Sequence, residues 1–332
     1  MKFTKTPTNR HKFYTLLMLV PFGLCVLYYA AFFGFVLGAK AYYMHPSEYP
    51  TYVDVGRKAQ QPHNADLLML GDSRAKAGFA PQNAKQLNLA IGGTTAIEGY
   101  YTFKRYLAHN KPPKVLILSY NTQHHAGFTT FWHRSIKFDF LNFNEIKDLV
   151  KNAKKLDECD IVGKCEVWDF VKYKLDIKNF SAEMYNAWQE FKDGNSRYKR
   201  YLQVMDELGK NGGHYFYGRN FGASDNNYEV SQSGFKASAL INLYLRKIVA
   251  LARANGIRVF HYQMPFNQSS FDKLNSAFVS DYNSFLNSMQ DEFGITPLNF
   301  IWALPDSDFG DPSHLYRGAK KTTRDILEKI KF

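Results

Sequence analysis

From Phe13 to Ala39 the chain runs for 27 residues without a charged side chain, FYTLLMLVPFGLCVLYYAAFFGFVLGA, between Lys12 and Lys40. About 20 apolar residues cross a bilayer and signal-peptide cores are shorter, so the stretch predicts one transmembrane helix at 13–39. Pro21 and the glycines are tolerated in such a helix. The triplet Ala39-Lys40-Ala41 leaves cleavage open as an alternative. Residues 40–64 lack sustained periodicity and read as a connector. Beyond them, short apolar runs alternate with helical periods. ADLLML (65–70) ends in Gly-Asp-Ser and PQNAKQL (81–87) opens a helix after it. LNLAIGG (87–93) precedes the amphipathic 94–110, and VLIL lies inside the Pro-bounded run 112–121. This alternation predicts a parallel sheet flanked by helices.

The same alternation returns near the C-terminus, as helix 234–256, strand 257–265, helix 271–294, strand 295–304 and helix 317–330. Between the halves, about 124–233, the chain is crowded with Trp, Tyr, Phe, Lys and Asn, and helical periods appear at 144–156 and 181–191. It reads as an insertion into one domain spanning 65–332. Phe and Tyr alone number 28 and 22, and the hydrophobic share of 45% is that of a folded chain, which excludes disorder for most of it.

Charge changes the picture through topology. The net charge is +12, and Lys2, Lys5, Arg10 and Lys12 precede the span with no acid among them. By the positive-inside rule, residues 1–12 stay in the cytoplasm and the large domain is extracytoplasmic, at the periplasmic or cell-surface side of the inner membrane. Nucleic acid as a partner is excluded by that placement, although basic charge alone would permit it. Cys25 lies in the span. Cys159 and Cys165 could close a small disulfide loop in an oxidising compartment, and a metal pair would need two further ligands that are not near.

Ligands of an open parallel sheet bind beyond the carboxyl ends of its strands. The residues there are Gly71-Asp72-Ser73, Gly92-Gly93, Ser119-Tyr120-Asn121 and, past the last strand, Asp311-Pro312-Ser313-His314. They assemble into a nucleophilic centre in which Ser73 attacks, His314 takes its proton and Asp311 orients the imidazole. The oxyanion donors would be the main-chain N–H groups at Ser73 and Gly93 and the Asn121 amide.

In this order the four blocks resemble the SGNH (GDSL-type) hydrolases, over about 65–123 and 234–330. The departure is at block three, where the usual Gly-x-Asn-Asp is Ser119-Tyr120-Asn121-Thr122. The resemblance implies an α/β three-layer sandwich on a parallel sheet, of the SGNH or flavodoxin-like kind, and no metal or organic cofactor. With one anchor ahead of it, the domain is similar to the membrane-tethered SGNH partners of membrane-bound O-acyltransferases, such as the teichoic-acid D-alanyl transfer protein and alginate acetylation proteins. That likeness implies serine-dependent acyl transfer or ester hydrolysis on an anionic or glycan envelope polymer, beside a polytopic membrane-bound O-acyltransferase. The alternative is a non-catalytic assembly protein that keeps the fold and recruits that transferase.

Each candidate has a plainer structural reading. Ser73 could cap a helix, and Gly92 competes with Gly93 for one role. Asp306 and Asp308 compete with Asp311, while His124, His125 and His133 read as polar loop lining ahead of metal ligands.

Overall fold

The computed structural model describes residues 7–127, 130–219 and 227–331. Lys2 and Lys5 of the basic N-terminus, and the Gly/Asn-rich end of the insertion at 220–226, lie outside the described residues. The uncharged stretch is one helix, α1 (Pro7–Gly38), and Tyr14–Gly38 within it is long and apolar enough to span a membrane.

The stretch expected to be an irregular connector is largely helical, with α2 (Lys40–Tyr43) and α3 (Tyr49–Gln60). Backbone bonds from Ala39 to Phe35 (2.8 Å) and from Tyr42 to Ala39 (2.9 Å) carry α1 into α2 almost without a break. Tyr43 donates its hydroxyl to the Val36 carbonyl, and Arg197 donates to the Tyr43 carbonyl at 2.6 Å. The period of α3 is hard to see because it buries polar residues. Asp54 is fully buried and accepts from Lys58 Nζ at 2.7 Å, and that ammonium also donates to the Leu208 carbonyl at 2.8 Å.

The central sheet is parallel throughout. Its first half contains β1 (Leu67–Gly71), α4 (Ser73–Gly78), β2 (Gln86–Asn88), α5 (Ala96–His109), β3 (Val115–Ser119) and α6 (Thr122–Ala126). The insertion follows, with a π-helical turn at Trp132–Ile136 and helices α7 (Phe143–Lys155), α8 (Cys159–Val162), α9 (Val167–Leu175), α10 (Lys178–Lys192) and α11 (Arg197–Lys210). Cys159 and Cys165 are joined by a disulfide. The chain then completes the fold with α12 (Ala239–Ala254), β4 (Arg258–His261), β5 (Phe266–Asn267), α13 (Gln268–Phe271), α14 (Ser276–Phe293), β6 (Thr296–Pro297), β7 (Ala303–Leu304) and α15 (Ala319–Ile330).

Five strands form the sheet in the order β2-β1-β3-β4-β6, while β5 and β7 pair separately. Register runs Leu67 opposite Val115 on one side and Leu67 opposite Gln86 on the other. Both faces are covered, which is why β1 and β3 read as continuous apolar runs. Leu68, Leu70, Leu116 and Leu118 pack with Phe103 of α5, Leu245 of α12 and Leu286 of α14. Leu67, Met69, Val115 and Ile117 face Ala75 of α4 and Ile326 of α15. The insertion shares the first of these cores through Phe131, Ile136 and Leu149.

One expected helix is absent. Residues 81–85 form a loop that runs into β2, and the helix after β1 starts at once at Ser73. The cause is local. Asp72 caps the chain immediately beyond the strand, and buried Asn88 donates its amide to the carbonyls of Ala75 (3.1 Å) and Phe79 (2.8 Å), pulling 86–88 alongside β1. The long C-terminal strand expected at 295–304 is instead the two short pieces β6 and β7.

Buried histidines give the fold an acid limit. Burial holds His214 and His261 at a pKa of about 4, against about 6.5 in an unfolded chain. Between pH 6.5 and 4 the unfolded chain therefore binds protons that the fold refuses. This stability is complete above pH 6.5 and is lost as the pH falls, by at most about 3 kcal/mol per histidine. Asp72 and Asp311, both held below the usual carboxylate range, act in the same direction further down. Thermal melts should drop steeply between pH 6.5 and 4.5, and His261→Asn should flatten that slope. A melting temperature equal at both pH values would contradict the assignment.

Candidate active site

The strand order reverses direction at the β1/β3 pair, since β2 lies outside β1 and β4 outside β3. The carboxyl ends of those two strands are where such a sheet opens a crevice for ligands. Ser73 follows β1 there, and Asn121 follows β3.

Asp72 ties the two loops together. It is fully buried, and its Oδ1 caps α4 by accepting from the Arg74 N–H at 2.8 Å. Its Oδ2 accepts from the Asn121 N–H at 2.7 Å and bonds His124 Nδ1 at 2.8 Å. Burial alone would raise its pKa. The hydrogen bond and charge of His124, the Asn121 amide and nearby Arg74 outweigh burial and keep the carboxyl ionised below its ordinary range. Ser73 is thus the first helical residue of α4, with Asp72 rather than Ser73 in the capping position.

Asn121 caps α6 through Oδ1, which accepts from the His124 N–H at 3.1 Å. That bond leaves the amide NH₂ as the donor end of the side chain. Gly93 has φ +71°, and a Cβ there would lie 2.1 Å from Arg134 Nη1. Only glycine lets the guanidinium approach so closely, in a backbone region that other residues rarely adopt. Arg134 comes from the π-helical turn of the insertion and is gripped by Glu48, Nε donating to Oε2 at 2.9 Å. Burial opposes its charge, but Glu48 more than compensates, so its pKa is raised.

Asp311 and His314 form a pair. The Nδ1 of His314 stands 2.8 and 2.9 Å from the two carboxylate oxygens, and the N–H groups of Ser313 and His314 each donate to Oδ1 at 2.8 Å. Burial works against the carboxylate, and the imidazole outweighs it to hold Asp311 below its usual range. Asp306 and Asp308 are engaged elsewhere, with Ser269 and with Lys321.

Tyr217 lies between this pair and the Gly92 turn beside Ser73. Its ring lies 4.6 Å from the His314 ring at 35°. A Cβ on Gly92 would stand 2.8 Å from the Tyr217 hydroxyl and 3.5 Å from Ser73 Cβ, so both residues lie beside that glycine. Among the described residues, His314 Nε2 and the Tyr217 hydroxyl are both buried without a hydrogen-bond partner. The bond from the Ser73 hydroxyl to Nε2 is therefore not made. The tyrosine segment is pressed against the histidine loop, because Gly218 and Gly310 pass so closely that a Cβ on Gly310 would lie 2.1 Å from the Gly218 carbonyl oxygen.

Tyr217 and Arg134 escaped the sequence reading. Both belong to the aromatic insertion, and the run HYFYGRN at 214–220 is the only local signal for the first. The three loop histidines separate. His124 holds Asp72, His125 is buried 5.6 Å from His261 in ring-centre distance, and His133 is exposed. Behind the tyrosine segment lies a cavity of about 700 Å³ lined by Lys210, His214, Phe216, Tyr316 and Lys320. No model of a known protein family matches the chain and no curated protein matches it, so the site stands on its own geometry.

Proposed function

We propose that the chain is a membrane-anchored, serine-dependent acyltransferase or esterase of SGNH type. It acts outside the cytoplasm on a cell-envelope polymer such as a teichoic acid or exopolysaccharide. The observation that carries this reading is the Asp311–His314 pair, whose ring neighbour Tyr217 lies, like Ser73, beside Gly92 near the sheet's switch point.

In the proposed cycle the Ser73 oxygen bonds to an acyl carbonyl carbon while its proton passes to His314 Nε2. Asp311 holds Nδ1–H and steadies the imidazolium. Collapse of the tetrahedral centre expels the donor's alkoxide, which takes that proton and leaves an acyl ester on Ser73. A polymer hydroxyl, or water, then reverses these steps. Main-chain N–H groups at Ser73 and Gly93 and the Asn121 amide supply the oxyanion donors. The cavity lined by His214, Phe216 and Tyr316 combines aromatic faces for sugar rings with Lys210 and Lys320 for anionic groups. The four basic residues ahead of the span support a domain on the far side of the membrane. In this reading no metal or organic cofactor takes part, and a polytopic membrane-bound O-acyltransferase is the partner.

One observation favours a second reading. With Nε2 unbonded and the Tyr217 hydroxyl over Gly92, the site matches a non-catalytic assembly protein that recruits the transferase. A fluorophosphonate probe separates the two. The enzyme reading expects stoichiometric adduct on Ser73, located by mass spectrometry, whereas a folded protein that stays unlabelled under prolonged exposure supports the assembly reading.

A further inference from the structure

Resting on the reading of α1 as a membrane span, we propose that α10 of the insertion lies in the headgroup layer of the same bilayer, with Trp188 and Phe191 dipping into lipid.

Phe35, three residues before the end of α1, belongs to the candidate span. It lines one groove of about 450 Å³ together with Tyr42, Met184, Trp188, Phe191 and Tyr198. Whatever bathes Phe35 therefore bathes the α10 face as well. The placement is rigid, because Val36 is fully buried against the domain, Phe35 and Tyr43 stack at 5.9 Å, and Tyr42 stacks on Tyr198 at 4.3 Å.

The exposed residues have the character of a membrane interface. Met184, Trp188 and Phe191 recur at helical spacing on α10, and Trp188 and Phe191 are 54% and 72% exposed. Tyr185, 58% exposed, lies beside Trp188. Trp and Tyr collect where hydrocarbon meets water. The cations fit too. Lys192 Nζ sits 4.4 Å over the Trp188 ring, as an amphipathic side chain does when its stem covers an apolar face and its head reaches for phosphate. The acids of α10 are paired, since Arg197 holds Glu183 at 2.9 Å and Glu190 at 2.7 Å. Lys192 and Lys199 are left facing the phosphate layer. This is the make-up of an interfacial amphipathic helix, held in place here by the span next to it.

The test uses the full-length chain in nanodiscs of phosphatidylcholine and phosphatidylglycerol, with plain or dibrominated acyl chains. Subtracting the spectrum of Trp188→Phe from that of wild type isolates the Trp188 emission. That emission should be blue-shifted and at least threefold more quenched by brominated lipid than by aqueous iodide. An environment-sensitive dye on Phe191→Cys, in a Cys25→Ser background, should report the same and covers the case of a poorly folding tryptophan variant. Emission indifferent to brominated lipid and open to iodide would overturn the proposal. That outcome would leave the face to water or to a partner's transmembrane helix. Resistance of the protein to alkaline carbonate extraction tests the span separately, so loss of the anchor and loss of the surface give different results.

Discussion

Ser73→Ala should abolish the covalent acyl intermediate, and His314→Ala should be nearly as damaging, because an unassisted serine hydroxyl is a poor nucleophile at neutral pH. The loss in turnover should be on the order of 10⁴- to 10⁶-fold for either, and the double variant should be little worse than each single one, since members of one catalytic unit are strongly non-additive. Asp311→Asn keeps the geometry but favours the wrong imidazole tautomer, so it should still cost roughly 10⁴-fold. Asn121→Ala should cost about 10²- to 10³-fold if its amide meets the oxyanion. The assays are hydrolysis of a chromogenic ester and the acyl content of envelope polymer in cells carrying each variant, with folding checked by circular dichroism. Wild-type polymer acylation by a folded Ser73→Ala protein would defeat the enzyme reading.

The second large effect is on stability. Asp72→Ala should destabilise the domain by about 3–5 kcal/mol, because it removes a helix cap and strands buried donors at Asn121 and His124 in one step. For a domain of this size that corresponds to a fall in Tm of roughly 10 °C. Asp72→Asn retains an acceptor for the Arg74 N–H and should lose less. The two substitutions should also separate the carboxylate from the catalytic centre, since Asp72 has no part in proton transfer and acts by fixing the loops of Ser73 and Asn121. A Tm for Asp72→Ala within 2–3 °C of wild type, where a surface substitution would leave it, would show that the two loops hold each other without it.

How much could be read from the sequence follows from how local the determining physics is. β1 and β3 are legible because strands buried on both faces must be apolar, and β4 because Val259 and Phe260 follow the Gly256 stop of the preceding helix. Helices α12 and α14 are legible from their stripes, and the Asp311–His314 pair from a spacing of three residues. β2 is legible only in part: the apolar run 87–93 marks a strand there, but the paired residues are Gln86–Asn88, where buried Asn88 serves the backbone of the α4 turn rather than a hydrophobic face. α3 hides for a related reason, its inner face carrying Asp54 and Lys58 as a buried pair. Arg134 and Tyr217 reach the site across at least some sixty residues of chain from either His314 or Ser73, where no periodicity can point. Their positions depend on long-range contacts such as Arg134 with Glu48 and Gly218 against Gly310.

The near-seamless passage from α1 into α2 also governs reach. A catalytic head on a slack tether sweeps a hemisphere and can meet substrate at any altitude within it. Here the last turn of the span is clamped to the domain through Tyr43 and Arg197, so the head has one altitude and one tilt. Its search is two-dimensional, carried by lateral diffusion of the anchor. On the proposed function, a polymer would be modified only where its chain crosses that fixed plane, which would concentrate acylation on the segments nearest the membrane, while distal segments would acquire it only by growing outward after they have been marked.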